Sequence, residues 1–256
     1  MKIQPLIAKE EPKRVKWRWV ALFLCLSIIV GPYFAIDNPA ELEYYIEDTF
    51  GVTAKEYSLL YSLYALPNMI LPLFGGILLD KIGLHCGLLI TSTLVTVGQF
   101  ICALGGFTEN FGIVLGGRVL FGIGCETLWC VQAAFVGKWF FDQEMSFAIG
   151  FGYAIPNLCS FGAGWWVPGI AADPNDEYAT AKNGIGYALG TSALVCMYSW
   201  VAGIALIILD RRVNQVDERK MLQIDDEPNV KGPKIMTDDG HQAIGRTETF
   251  EENQVK

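Results

Sequence analysis

Residues 110–137 read N-F-G-I-V-L-G-G-R-V-L-F-G-I-G-C-E-T-L-W-C-V-Q-A-A-F-V-G, and the only charged side chains among them are Arg118 and Glu126. A helix rising about 1.5 Å per residue crosses roughly 30 Å of bilayer hydrocarbon in about 20 residues, so this stretch reads as a transmembrane helix carrying two charges. On either side, residues 19–36, 57–79, 86–108, 145–172 and 183–209 contain no Asp, Glu, Lys or Arg. Together the windows predict six transmembrane helices in an all-α polytopic membrane protein embedded in a lipid bilayer. Composition agrees, with 52% hydrophobic and 18% charged residues, against about a quarter charged in soluble domains. A cytosolic enzyme is excluded. So is a nucleic-acid binder, because the formal net charge of −8 has the wrong sign for gripping phosphates.

Basic side chains set the orientation. Lys2, Lys9, Lys13, Arg14, Lys16 and Arg18 precede the first window, and Arg211, Arg212, Arg219 and Lys220 follow the last. Both termini are therefore expected in the cytoplasm, with the acidic segments 38–56 and 173–182 on the far side. The first apolar stretch has no small-residue cleavage site and runs on into Asp37-Asn38-Pro39, so it reads as a retained helix. The expected domains are a basic cytoplasmic segment at 1–18, a six-helix bundle at 19–209 and a disordered cytoplasmic tail at 210–256. In that tail, charges of both signs outweigh large apolar residues.

The seven cysteines form no C-x-x-C pair and read as small apolar fillers. No G-x-S-x-G or H-E-x-x-H occurs, and His85 and His241 fall at a turn and in the tail. No catalytic residue, metal site or cofactor is expected.

Charges inside hydrocarbon cost roughly 2.5–3.5 kcal/mol on insertion scales and are retained for a pathway, a partner or a site. Eight residues apart, Arg118 and Glu126 are separated by about 12 Å of rise and about 80° of rotation, so both can face one interior cavity. Glu126 falls near the membrane midplane and is the leading substrate-site candidate. Asn68 and Asn157 also lie near the midpoints of their windows, after Pro67 and Pro156. Each proline frees a backbone carbonyl, which the neighbouring Asn could cap locally; the alternative is that both interrupted helices line a midplane cavity.

The turn G-G-I-L-L-D-K-I-G at 75–83 resembles the cytoplasmic Gly-x-x-x-Asp-x-x-Gly signature of the major facilitator superfamily. Physically, Gly76 would allow close helix approach, Asp80 would offer a carboxylate to a neighbouring helix end, and Gly83 would make the turn. G-R-V-L-F-G-I-G at 117–124 is similar to that superfamily's fourth-helix pattern. Further stretches, Y-F-A-I-D-N-P-A (33–40), L-L-Y-S-L-Y-A-L-P-N (59–68), V-G-Q-F-I-C-A-L-G-G (97–106) and G-R-V-L-F-G-I-G-C-E-T-L (117–128), resemble the first half of a lysosomal dipeptide-transporting branch.

That resemblance implies two three-helix inverted repeats, forming one half of a twelve-helix transporter that works by alternating access. It implies a dipeptide or amino-acid-like small-molecule substrate, a lysosomal membrane and an accessory glycoprotein subunit. It places Glu126 against a dipeptide's amino terminus, with Tyr33, Asp37, Asn38 and Arg118 around the pathway. The branch carries a base in its fifth helix about where Asn157 stands, whereas residues 146–181 here contain none. The chain holds six windows, so a half-transporter completed by a second six-helix half, either another copy or a separate chain, is one expectation. A truncated transporter is another. The rival reading is a non-transporting structural subunit of a larger membrane complex.

Overall fold

The computed structural model describes residues 12–140, 142–173 and 176–225. The chain divides into a unit of residues 1–211 and a second of residues 212–256. In order come α1 (Pro12–Glu41), α2 (Glu43–Phe50), α3 (Ala54–Tyr57), α4 (Leu59–Ile82), α5 (Leu84–Phe107), α6 (Phe111–Trp139) and α7 (Asp142–Ala171). A hairpin of β1 (Ala172–Asp173) and β2 (Asp176–Thr180) follows, then α8 (Gly184–Asp225). The hairpin is antiparallel, with Ala172 opposite Thr180. Among the described residues, Trp17–Glu41, Leu84–Phe107, Phe111–Trp139 and Gly184–Gln215 are long and apolar enough to cross a membrane. The helices α4 and α7 have 24 and 30 residues.

Two segments gain detail. The acidic segment 38–56 is largely helical, because α1 continues through Pro39 and two short helices follow it. Thr53 and Glu56 form a reciprocal cap on α3, and the Thr53 amide and hydroxyl hold the exposed Glu56 carboxyl below its usual range. At the other end α8 runs past residue 210 to Asp225, so the first part of the expected disordered tail is helical. Residues 212–225 are mostly good helix formers, with no Gly or Pro to stop them. The remainder, 226–256, and the basic segment up to Glu11 lie outside the described residues.

Small residues let α6 approach two neighbours. A Cβ on Gly117 would stand 2.7 Å from the Cys102 amide nitrogen and 2.7 Å from the Gly98 carbonyl on α5. On Gly122 it would meet the Tyr64 carbonyl of α4 at 2.7 Å, and on Gly124 the Thr91 carbonyl of α5 at 2.8 Å. In a bilayer, where lipid is as apolar as Leu, such close backbone packing is what drives helices together.

The last helix is tied to α1 by polar groups. A Ser199 hydroxyl accepts from the Gly31 amide at 2.8 Å and donates to the Ser27 carbonyl at 2.7 Å. It thereby stands between two groups that would bond directly in an unbroken helix, one residue before Pro32. Helices α5 and α8 touch through Gln99, Thr96 and Trp200, which donate to the Leu189 carbonyl, the Cys196 carbonyl and Thr93. Their other faces carry exposed apolar residues seven apart, Ile90, Val97 and Leu104 on α5 and Tyr187, Leu194, Val201 and Ile208 on α8, which is a surface suited to lipid.

One end of the bundle is closed by charge. Asp210 of α8 is buried; Lys138 Nζ of α6 donates to it at 2.5 Å and His85 Nε2 of α5 contacts the same oxygen at 2.7 Å. On the same side Arg18 of α1 pairs with Glu144 of α7 at 2.5 Å.

Gly117 and its neighbour provide an internally controlled test of the glycine contacts. Gly117→Leu should cost about 3 kcal/mol and lower the thermal midpoint of the purified chain by roughly 6–12 °C. A side chain at Gly116 meets nothing within 4 Å, so Gly116→Leu should leave the midpoint close to wild type. Equal midpoints for the two variants would refute the close-packed α5–α6 seam.

Candidate functional site

Four helices meet around Glu126, and they bring Tyr33 and Asp37 of the sequence-predicted residues towards it. On α6 the Glu126 carboxylate is half-buried, and among the described residues it has no hydrogen-bond or ion-pair partner. Its charge reaches the phenols of Tyr33 on α1 and Tyr64 on α4. One turn along α6, Trp129 packs against Tyr33 with ring centroids 4.7 Å apart and interplanar angle 72°. The same indole stacks on Tyr153 of α7 at 6.0 Å and 18°. Asp37, one turn beyond Tyr33, is exposed and accepts a hydrogen bond from Ser160 of α7. The arrangement is a carboxylate at an aromatic wall, with a second carboxylate further along α1.

Other predicted residues fall elsewhere or act locally. Asn38 is fully buried and faces α8, donating to the Ser192 hydroxyl and to the Ala188 carbonyl at 3.4 Å. It ties helices together, because Asn38 sits next to Asp37 but about 100° around the helix. Asn157 is exposed, and its amide donates to the Tyr153 carbonyl at 2.6 Å, the local capping expected beside Pro156. Asn68 is half-buried, and its Oδ1 has no partner among the described residues. It stands one turn from Tyr64 on α4.

Arg118 is only 3% exposed. Its Nε and Nη2 have no hydrogen-bond partner among the described residues, and the guanidinium lies 5.6 Å from the Phe121 ring centroid. The ring face gives the cation an electrostatic partner where no carboxylate is in reach. Gly83 joins α4 to α5 with φ +86°, a conformation that favours glycine. Gly76 and Asp80 fall in α4, and their surroundings lie outside the described residues.

Sequence reasoning missed Trp129 and Tyr153. Trp129 follows Glu126 by three residues, the spacing that shares a helix face, and that signal was present. Tyr153 carries no such mark, because its role comes from stacking across helices. A separate cleft of about 210 Å³ opens among the far-side loops, lined by Asp48, Glu109, Thr180 and Lys182. It contains none of the predicted residues, and its charges are mixed.

Comparison with known proteins follows the same lines. The family model of the Major Facilitator Superfamily matches residues 22–209. The chain is 31% identical over 211 residues to the lysosomal dipeptide transporter MFSD1 of Homo sapiens, an overlap of 80% of this chain and 45% of that protein. For the protein of the same name in Mus musculus the identity is 32%, over 80% of this chain and 45% of the relative. The quinolone resistance protein NorA of Staphylococcus aureus (strain N315) is 35% identical over 82 residues, 32% of this chain and 20% of that one. The chain spans less than half the length of these relatives.

The contrast between Asn38 and Glu126 can be measured. Asn38→Ala removes a buried donor from α8 and should lower stability by about 1–3 kcal/mol. Glu126 has no protein partner to lose, so Glu126→Gln should leave the thermal midpoint within roughly 2 °C of wild type, under 1 kcal/mol for a chain this long. A midpoint loss at Glu126 as large as at Asn38 would show that this carboxylate holds helices together.

Proposed function

The chain belongs to the major facilitator superfamily, and from that premise we propose that it carries a small organic solute, dipeptide-like or amino-acid-like, across a membrane by alternating access. The observation that carries the reading is Glu126, a carboxylate inside the span Phe111–Trp139 that has no protein partner among the described residues and sits at the meeting of α1, α6 and α7. A buried charge without a partner is costly. It is retained where a ligand, a proton or cavity water completes it.

The packing is consistent with two three-helix repeats, α1-α4-α5 and α6-α7-α8. Helix α1 packs on α7, and α6 packs on α4 and, more extensively, on α5, so the first helix of each repeat meets the second helix of the other. In this reading all six long helices span the bilayer, the first and second helices of each repeat line the pathway, and α5 and α8 are its outer supports. The half-bundle then works against a second six-helix half, another copy or a separate chain, and rocks as a rigid body around the Glu126 site. Asp80 and Gly83 act at the cytoplasmic turn, where they govern exchange between conformations. By analogy with the relatives named for lysosomal dipeptide transport, a lysosomal membrane and an accessory glycoprotein belong to the same proposal.

Transport is tested with the purified full chain in proteoliposomes. Uptake of a labelled dipeptide or amino acid should exceed that of empty vesicles, and Glu126→Gln should reduce it at least 10-fold. Absence of uptake, together with copurification in a large complex, would favour the structural-subunit reading.

Orientation is tested separately in a Cys86→Ser background. A membrane-impermeant thiol reagent on the far side should label Lys55→Cys and spare Lys81→Cys. The reverse pattern would overturn cytoplasmic termini.

A further inference from the structure

The site around Glu126 has an unbalanced charge. Two carboxylates stand near Tyr33: Glu126, whose charge reaches the Tyr33 phenol, and Asp37, whose charge does so too. The α7 side, which meets this site through Tyr153 and Ser160, has no Lys or Arg between residues 146 and 181. Asn157, one turn from Tyr153, is neutral and donates to its own helix. Arg118 is sealed to 3% exposure over Phe121 and lies about 12 Å along α6 from Glu126. Its charge reaches Tyr61 of α4, as that of Asp37 does, but its guanidinium is closed off from a solute at the level of Glu126.

The wall beside the carboxylate is aromatic. Tyr33, Trp129 and Tyr153 come from three different helices and touch in sequence. Tyr153 is 57% exposed, so the outer face of the Trp129–Tyr153 stack is open. A negative carboxylate next to electron-rich ring faces is an environment that attracts a cation from two sides. At the level of Glu126 it repels a second negative charge, because among the described residues the base of the same helix, Arg118, is sealed about 12 Å away.

We infer that this site selects an organic monocation, a solute with a protonated amine and no free carboxylate, whose nitrogen pairs with Glu126 and lies against the Tyr33–Trp129–Tyr153 wall. The inference rests on the transport reading above and narrows its substrate class. A zwitterionic dipeptide would bring a carboxylate toward Asp37 and the uncharged α7 face; its carboxy-terminal amide would bring the same amine and the same bulk without that charge.

The test compares three probes on the purified full chain in lipid nanodiscs at pH 7, read as ligand-induced thermal stabilisation: a dipeptide, its carboxy-terminal amide, and phenethylamine. The amide should half-saturate at a concentration about 10-fold below that of the free dipeptide, and phenethylamine should stabilise the chain as well. Trp129→Leu should weaken the amide by roughly 3- to 30-fold, the range of a desolvated cation–π contact, and Trp129→Phe should keep most of its affinity. Should Trp129→Leu fail to fold, the exposed Tyr153→Leu carries the same expectation. Equal or tighter binding of the free dipeptide would overturn cation selection and leave the transport reading standing. Binding of phenethylamine with neither peptide would support cation selection and overturn the peptide-like substrate. No stabilisation by any probe would overturn both.

Discussion

A single hydroxyl of α8 is bonded into the turn of α1 on which half of the site is built. Pro32 has no N–H to donate, and its ring crowds the preceding turn, so α1 cannot stay regular there. In water the freed groups would be solvated; in hydrocarbon they need a protein partner. Ser199 of α8 sits at that same turn, accepting from Gly31 and donating to Ser27. The contact needs glycine, because a Cβ at residue 31 would stand 2.8 Å from the Ser199 hydroxyl oxygen and 2.7 Å from the Cys196 Cα. Seven residues along each helix, in opposite directions, Asn38 donates to Ser192. These two ties set the antiparallel register of α1 on α8. Tyr33 and Asp37 lie between them and are turned towards α6 and α7.

The same logic makes the helix bundle stiff. Glycines on α6 bring its backbone against α4 and α5, and hydrogen bonds join α5 to α8. Asp210 joins α5, α6 and α8 through His85 and Lys138, and Arg18 with Glu144 joins α1 to α7 at that end. Truncating one partner of a buried ionic cluster leaves an uncompensated charge, at a cost of about 3–5 kcal/mol when burial is complete. Lys138 and His85 are partly exposed, so the cost here is smaller. A unit bound at one end and along its middle is suited to move as a body, as the proposed rocking around a central site would require.

How much of this was legible in sequence depends on the range of the interaction. The helices were, because desolvation of charge acts on each residue alone and leaves charge-free windows such as 86–108. Gly83 was, because a tight turn with positive φ is a local demand. Glu126 was, because a carboxylate in such a window stands out whatever surrounds it. The roles of Asn38 and Arg118 were not. Each is polar and membrane-embedded, as Glu126 is, and only tertiary packing shows that one is spent on α8 and the other sealed over Phe121. Ser199 was invisible for the same reason: a serine in an apolar helix usually bonds its own preceding turn, as Ser92 does to Leu88. The helical continuation to Asp225 was misread because charge-rich composition was taken to mean disorder, although the same residues are good helix formers.

The two charges of α6 stand in opposite surroundings on one helix. Arg118 lies nearer the far end, where the guanidinium meets a ring and is closed off. Glu126 lies about two turns away, on a face where α1 and α7 contribute rings and hydroxyls and no compensating cation. Exchanging the two positions would bury an unpaired acid among apolar rings, which repel its charge from their faces, and would leave the half-buried position to a base. The order observed puts the cation where quadrupoles can hold it and the anion where an incoming group can reach it. Asn157 completes the arrangement by what it lacks: its amide is committed to the Tyr153 carbonyl, so the α7 side of the site is held in shape without any charge of its own.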